Sequence, residues 1–403
     1  MAHESAGESP SERGASHGRG RRMRRWRASV PRLSQFAVEH LLLLPLGAGI
    51  ALLWANTLPE SYFRFTFSIA FAVNSVAMVF FFALMTKEVV EATAPNGVLH
   101  PWRRALLPVV VAIGATMIPA LLHVYAVEWL EEPMLAVSWP VTFATDIAVS
   151  YFIARLIFKL HPAIPFLLLL GIASDALAFL ALAVVHPTGD TNLPLGAAIM
   201  AVALAAAYLV RRMRYRSFWV YMLTAGVISW TALYVSGFHP ALALVPIMPF
   251  MPHATRDPGF FVDARPTARD ALSQFELVWK YPAQVALFFF GLVNAGVPLR
   301  ALEQGTWGLP IAAIIGKPIG VLLAAGAALA VGLHLPQRVG WRELTVVGVI
   351  AAIGFSIGLF FSASLLPPGQ LRSETGMGVL LTLLAGPLAF LAARLLGVGR
   401  FGR

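Results

Sequence analysis

The chain has no cysteine, and only 12% of its 403 residues are charged. The first absence removes disulfide frameworks, thiol nucleophiles, zinc–thiolate sites and iron–sulfur clusters, all of which need cysteine sulfur. The second, with a hydrophobic share of 58% and a mean hydropathy of +0.74, excludes a soluble globule of ordinary composition. The amino terminus is not expected to be a secretory signal peptide. The first 35 residues, MAHESAGESPSERGASHGRGRRMRRWRASVPRLSQ, are rich in Ser, Gly and Arg, and no short apolar region with a small-residue cleavage site follows their basic run. They cannot bury a hydrophobic face, so residues 1–35 are expected to be a disordered basic cytoplasmic tail.

What is present is hydrocarbon in long runs. Stretches of about 20 apolar residues, the length that crosses a bilayer core, begin near positions 36, 65, 103, 135, 162, 194, 217, 238, 275, 309, 343 and 376. The expectation is an all-α membrane protein of about twelve transmembrane helices over residues 36–397. With the amino terminus inside, the odd-numbered connections hold only Arg64, Arg300 and Arg372, while RRMRYR at 211–216 and most other basic residues fall in the even-numbered ones. That asymmetry places both termini in the cytoplasm. It also makes the net charge of +10 a topology signal, with the lipid bilayer and no nucleic acid as its partner.

Three ionisable residues remain deep in apolar segments: Asp146 in WPVTFATDIAVSYFIA, Asp175 in GIASDALAFL and Lys317 in LPIAAIIGKPIGVLLAA. Each lies roughly 12 to 20 Å along its helix, near the bilayer midplane. Charges at that depth are costly and face one another or a wet cavity. A salt bridge that only locks helices is a weak explanation, because buried pairs stabilise little on balance. The segments are also built to break. Pro140 stands one and a half turns before Asp146, and GVIAAIGFSIGLF at 348–360 carries Gly354, Ser356 and Gly358. Unwound backbone at membrane depth survives only inside protein or along a cavity, where it can coordinate ions. Two carboxylates with Thr145, Ser174 and loosened backbone form a hard oxygen set suited to Na⁺, Li⁺ or H⁺, and not to a soft transition metal. The same oxygens hold a proton or a cation but not both, which is sufficient for exchange.

FATDIA, ASDALAFLALA, VNAGVPL, IIGKPIG and VVGVIAAIGFSIGLFFSASL resemble the corresponding stretches of NhaA-type sodium/proton antiporters. VFFFALMTKEVVEA followed by LLPVVVAIGATMIPALL is similar to that family's second and third spans, and order and spacing match over roughly residues 36 to 395. The resemblance implies two inverted three-helix repeats, spans 3–5 and 10–12, with crossed discontinuous helices in spans 4 and 11. It implies that Asp175 is the cation and proton carboxylate, with Thr145 and Asp146 at the break of span 4 and Lys317 opposite. Transported Na⁺ or Li⁺ would contact Asp175 and Asp146. It further implies a bacterial inner-membrane transporter serving pH homeostasis, with cation and proton as substrates and no cofactor.

Three departures alter those implications. The family's span 5 usually carries adjacent aspartates, whereas this chain reads Ser174-Asp175. Neighbouring helical residues point about 100° apart, so Ser174 is expected to face Lys317, which then takes Asp175 or Asp146 as its anion or sits neutral. A single exchanging carboxylate implies one proton per sodium and electroneutral turnover, unless Lys317 also gives up a proton. Second, WANTLPESYFRFTF between spans 1 and 2 is too short for the β-hairpin that joins protomers in the family, leaving a monomer or a homodimer without that contact. Third, span 2 ends on Lys87-Glu88 where the family tends to place an acid first, so pH sensing at that mouth is expected to differ. Glu91 and Glu276 read as solvated carboxylates at helix ends, with an acidic cytoplasmic entrance as the alternative. His239, in GFHPALA, reads as a capping or packing residue.

Two other functions stay open. A homologue that keeps the fold with altered or lost transport follows from Ser174. An intramembrane aspartyl hydrolase using Asp146 and Asp175 as a dyad leaves Lys317 and the broken helices unexplained, and no Gly-x-Gly-Asp pattern stands at GIASD.

Overall fold

The computed structural model describes residues 43–93, 103–159, 161–185, 192–252, 270–336 and 338–402; the expected amino-terminal tail lies outside them. The described residues contain helices and no strand. In chain order these are α1 (Leu43–Thr57), α2 (Pro59–Phe71), α3 (Met78–Thr93), α4 (Arg103–Trp129), α5 (Ile147–Phe158), α6 (Ala163–Val185), α7 (Leu193–Arg212), α8 (Phe218–Tyr221), α9 (Val227–Ser236), α10 (Ala271–Asn294), α11 (Gly308–Ala330), α12 (Trp341–Ala351), α13 (Phe355–Leu365), α14 (Gln370–Leu381) and α15 (Ala385–Leu396). A π-helical turn, Ala72–Ala77, continues α2 into α3, and another, Met222–Gly226, joins α8 to α9. Seven helical stretches are long and apolar enough to cross a membrane, and nine if each of two bent pairs is one span.

About twelve spans are expected from the sequence; the run at 36 begins outside the described residues, and the other runs coincide with helical segments, with one difference. The run beginning at 238 forms short 3₁₀ turns, Pro240–Leu242 and Met248–Phe250, instead of a long helix. Pro240, Pro246, Pro249 and Pro252 are the reason, since each removes an amide donor and crowds the preceding turn. The connection between α1 and α2 is Leu58 alone, which leaves no length for a hairpin.

Two bundles pack side by side. One gathers α1 to α3 and α7 to α10 around a core that includes Ala207, Tyr221, Met248 and Phe275; the other gathers α4 to α6 and α11 to α15. The second contains both bent pairs. A 3₁₀ segment, Pro133–Phe143, meets α5 at 62°, and α12 meets α13 at 46°. The tightest crossing within it is α4 on α11. A β-carbon on Gly320 would fall on the carbonyl oxygen of Gly114, and one on Gly316 would come within 2.7 Å of the Cα of Pro119. The two backbones touch because neither glycine carries a side chain, the small-residue contact that membrane helices use in place of a hydrophobic driving force.

A side chain at that crossing must push the helices apart. Gly320→Val is expected to destabilise the protein by about 1–3 kcal/mol, the usual cost of overpacking. Thermal unfolding of the purified protein in detergent measures it; an unchanged midpoint would show that the crossing has slack.

Candidate functional site

Proline and glycine fix where the bent pairs break. Pro140 lies inside the 3₁₀ segment, which ends at Phe143 and leaves Ala144 and Thr145 extended before Asp146 caps α5. In the other pair the helix stops at Ala351 and restarts at Phe355, with Gly354 between. A β-carbon on Gly354 would approach the Ala144 carbonyl oxygen to 3.1 Å, so the two breaks cross in near contact. Gly358 sits within α13 against Val379, a packing position and not part of the break. Ser356 also lies past the break, in the first turn of α13.

The crossing leaves carbonyl ends and amide ends of four half-helices inside the protein, and two side chains of opposite sign satisfy them. Lys317, fully buried, donates to the carbonyl oxygens of Phe143 (3.3 Å), Ala144 and Ala351 (3.0 Å) and to Thr145 Oγ1 (2.8 Å). Asp146 accepts from the amides of Val149 (3.0 Å) and Ser356 (2.9 Å), one at the start of α5 and one at the start of α13. Its own amide donates to Ile353 O at 2.6 Å. A cation at two carbonyl ends and an anion at two amide ends is the arrangement that helix dipoles favour. Thr145 Oγ1 and Ser150 Oγ tie the pairs together by donating to Ala351 O and Ile350 O, each at 3.2 Å. Thr382 adds a bond that the sequence did not single out, accepting from the amide of Gly354 at 3.1 Å. Its only signal was a hydroxyl within an oily run.

Asp175 stands apart from this scaffold. It takes one bond, from the Thr145 amide at 3.3 Å, and lies within electrostatic reach of Lys317 and Asp146. It is 7% exposed, against 1% for Asp146, Thr145 and Ser174 and 0% for Lys317. The three buried charges expected at one depth therefore do converge. The expected pairing does not hold: Lys317 forms no ion pair with Asp175 or Asp146, because backbone oxygens of the crossing fill its coordination. Nor does Ser174 serve as its partner. Ser174 Oγ is buried without a hydrogen bond.

Glu91 and Glu276 correct another expectation. Neither is solvated: with Glu88 they surround the buried ammonium of Lys87, at 2.8 Å (Glu91), 2.8 Å (Glu276) and 3.3 Å (Glu88). Three carboxylates around one cation joins α3 to α10 near their ends. His239 caps the Pro240–Leu242 turn, accepting from the Ala241 amide at 3.3 Å, and packs edge-on against Phe360, as read from the sequence. Among the described residues no group of three His, Asp or Glu side chains has the geometry of a metal site.

Two measurements follow. Lys317→Met strands the oxygens of the crossing without a donor and is expected to destabilise the protein by about 3 kcal/mol or more. Asp175→Asn keeps an acceptor for one long bond and should cost less than about 1 kcal/mol; equal losses in thermal unfolding would contradict this division of labour. Second, burial pushes the Glu91 carboxyl up to about 7. A raised folded-state value means that stability is highest when the group is protonated and is lost as pH rises through about 7. Glu91→Gln should flatten the fall in unfolding midpoint between about pH 4.5 and 7.

Known proteins are similar to this chain in sequence. Residues 36–393 match the family described as Na⁺/H⁺ antiporter 1. The Na(+)/H(+) antiporter NhaA of Desulfitobacterium hafniense (strain DSM 10664 / DCB-2) is 37% identical over 373 residues, covering 90% of this chain and 96% of that protein. That of Geotalea uraniireducens (strain Rf4) is 37% identical over 372 residues, covering 89% and 96%, and that of Geobacter sulfurreducens is 35% identical over 368 residues, with the same coverage. These relatives are secondary transporters and not enzymes. With the match spanning nearly all of the transmembrane region, this chain belongs to the NhaA Na⁺/H⁺ antiporter family.

Proposed function

We propose that the protein exchanges Na⁺ or Li⁺ for protons across the bacterial inner membrane, with both termini in the cytoplasm and one transport domain over residues 36–397. Asp175 is the exchanging carboxylate. Its bonding carries the reading: Asp175 takes a single long hydrogen bond, from the Thr145 amide, whereas Asp146 is held by two helix amides, so Asp175 keeps acceptor capacity for a cation or a proton. Thr145 and Ser174 supply neighbouring oxygens, Asp146 and Lys317 hold the crossing, and their charges set how strongly Asp175 attracts a cation. Both ions are substrates, and the mechanism needs no resident cofactor. With Lys317 committed to backbone oxygens, one proton leaves for each cation bound, and turnover is electroneutral. The oligomer, if one forms, does not use a hairpin.

The hydrolase reading loses its support at Asp146. A dyad that activates water needs two carboxylates with oxygens free to share a proton, and both oxygens of Asp146 receive helix amides. The reading of a homologue without transport rests on Ser174 and is decided by the same assay as the proposal.

Purified protein in liposomes with an imposed pH gradient is expected to dissipate that gradient on addition of Na⁺ or Li⁺. Asp175→Asn should abolish the response. A mutant that works as well as wild type removes Asp175 from the mechanism, and a silent wild type favours the transport-deficient homologue. Ser174→Asp restores a second carboxylate and should make turnover sensitive to membrane potential; unchanged sensitivity contradicts the charge count.

A further inference from the structure

The two bundles meet along a line that starts at the exchange site and runs toward the ends of α6, α10 and α13. One turn beyond Asp175, Phe179 packs edge-on against Phe82 of the other bundle, with ring centres 5.0 Å apart. One turn beyond Ser356, Phe360 meets Phe82 at 4.8 Å and Phe290 at 6.3 Å. One turn beyond Phe290 is Asn294, the last residue of α10. Its amide nitrogen donates to Asn74 Oδ1 (2.8 Å) in the π-helical turn, and its oxygen accepts from Asn74 Nδ2 (3.1 Å) and from the guanidinium of Arg372 (3.2 Å). Arg372 belongs to α14, in the bundle that carries the site, so this bond crosses the seam. The route from Asp175 is therefore covered first by an aromatic layer and then by a polar layer, both spanning the two bundles.

Arg372 is an unusual choice for a helix-packing contact. Among the described residues no carboxylate forms an ion pair with it, and the guanidinium is held between bundles by a neutral amide oxygen. One such bond is weak enough to break in each cycle, and on breaking the cation returns to water. While it holds, its positive charge stands across the path of an incoming cation. The opposite end of α10 carries Glu276 in the Lys87 cluster, about 27 Å away along the helix. That cluster joins α3 and α10 within one bundle and so leaves the relative motion of the bundles free.

We propose that Arg372, bonded to the Asn294–Asn74 amide pair, is the positioning residue that closes the outer side of the exchange site by latching the two bundles together. The inference rests on the antiport reading for its purpose, since only a site that opens alternately needs such a latch. Its test does not depend on transport.

The cysteine-free sequence makes that test direct. Ser174→Cys is a small change at a hydroxyl that makes no hydrogen bond, and it places one thiol next to Asp175 in the chain. In vesicles of known sidedness, a membrane-impermeant thiol reagent applied outside should label Cys-bearing protein slowly when Arg372 is intact. Adding Arg372→Ala is expected to raise the outside labelling rate about tenfold by shifting the population toward the outward-open state, with Arg372→Lys restoring slow labelling. Arg372→Gln, which keeps donors but not charge, should fall between them. An outside rate that Arg372→Ala leaves unchanged overturns the latch. If Arg372→Ala does not fold, Asn294→Leu in the same background removes the acceptor and must give the same acceleration; a rate unchanged there overturns the proposal equally. If labelling responds as expected while liposomes of the wild-type protein show no Na⁺-driven proton movement, the latch stands and the antiport reading fails.

Discussion

Everything at the centre of this protein follows from one constraint: backbone stripped of its helical hydrogen bonds has no water to turn to inside a bilayer. Two helices break there and cross, and the crossing survives because Lys317 gathers the stranded carbonyls and Asp146 gathers the stranded amides. Opposite charges are matched to opposite helix ends, so neither needs the other as a direct partner. Lys317 therefore finds its partners without a carboxylate at position 174, where this chain carries Ser174. The lysine's coordination is already filled by oxygens of the fold, and a carboxylate at 174 would add charge that the crossing does not require.

That same arrangement frees Asp175. With the structural work done by Lys317, Asp146, Thr145 and Thr382, one buried carboxylate remains loosely bonded beside the crossing. Where the two bundles meet, aromatic edges, the Arg372–Asn294 bond and a small apolar contact between Val297 and Met377 join them. Within the bundle that carries the site, by contrast, α4 and α11 are in backbone contact at Gly114 and Gly320 and leave no room for relative movement. Rigidity inside the bundles and reversibility between them are what an alternating site requires.

The membrane class, the placement of most helices and the three central charges were legible in the sequence, because each is a local property: apolar run length, or a charge within such a run. The breaks were legible in kind and less so in position. Pro140 announced a disruption, yet the backbone opens at Ala144 and Thr145, four residues on, where Lys317 of another helix draws the carbonyls out. Gly358 looked like a breaker and proved to be a packing residue against Val379. The apolar run at 238 scored as a span by composition, although its four prolines were there to be read.

The partners of charges were not legible. Glu276 is buried against Lys87, which lies on a helix nearly two hundred positions away, and the expected anions of Lys317 are replaced by carbonyl oxygens that every residue has and no sequence motif marks. The sequence by itself determined which residues are too costly to leave alone in hydrocarbon, since transfer free energy belongs to the side chain. Only the tertiary structure decided what satisfies each of them, because that depends on which distant backbone and side-chain atoms the packed helices bring within hydrogen-bonding distance.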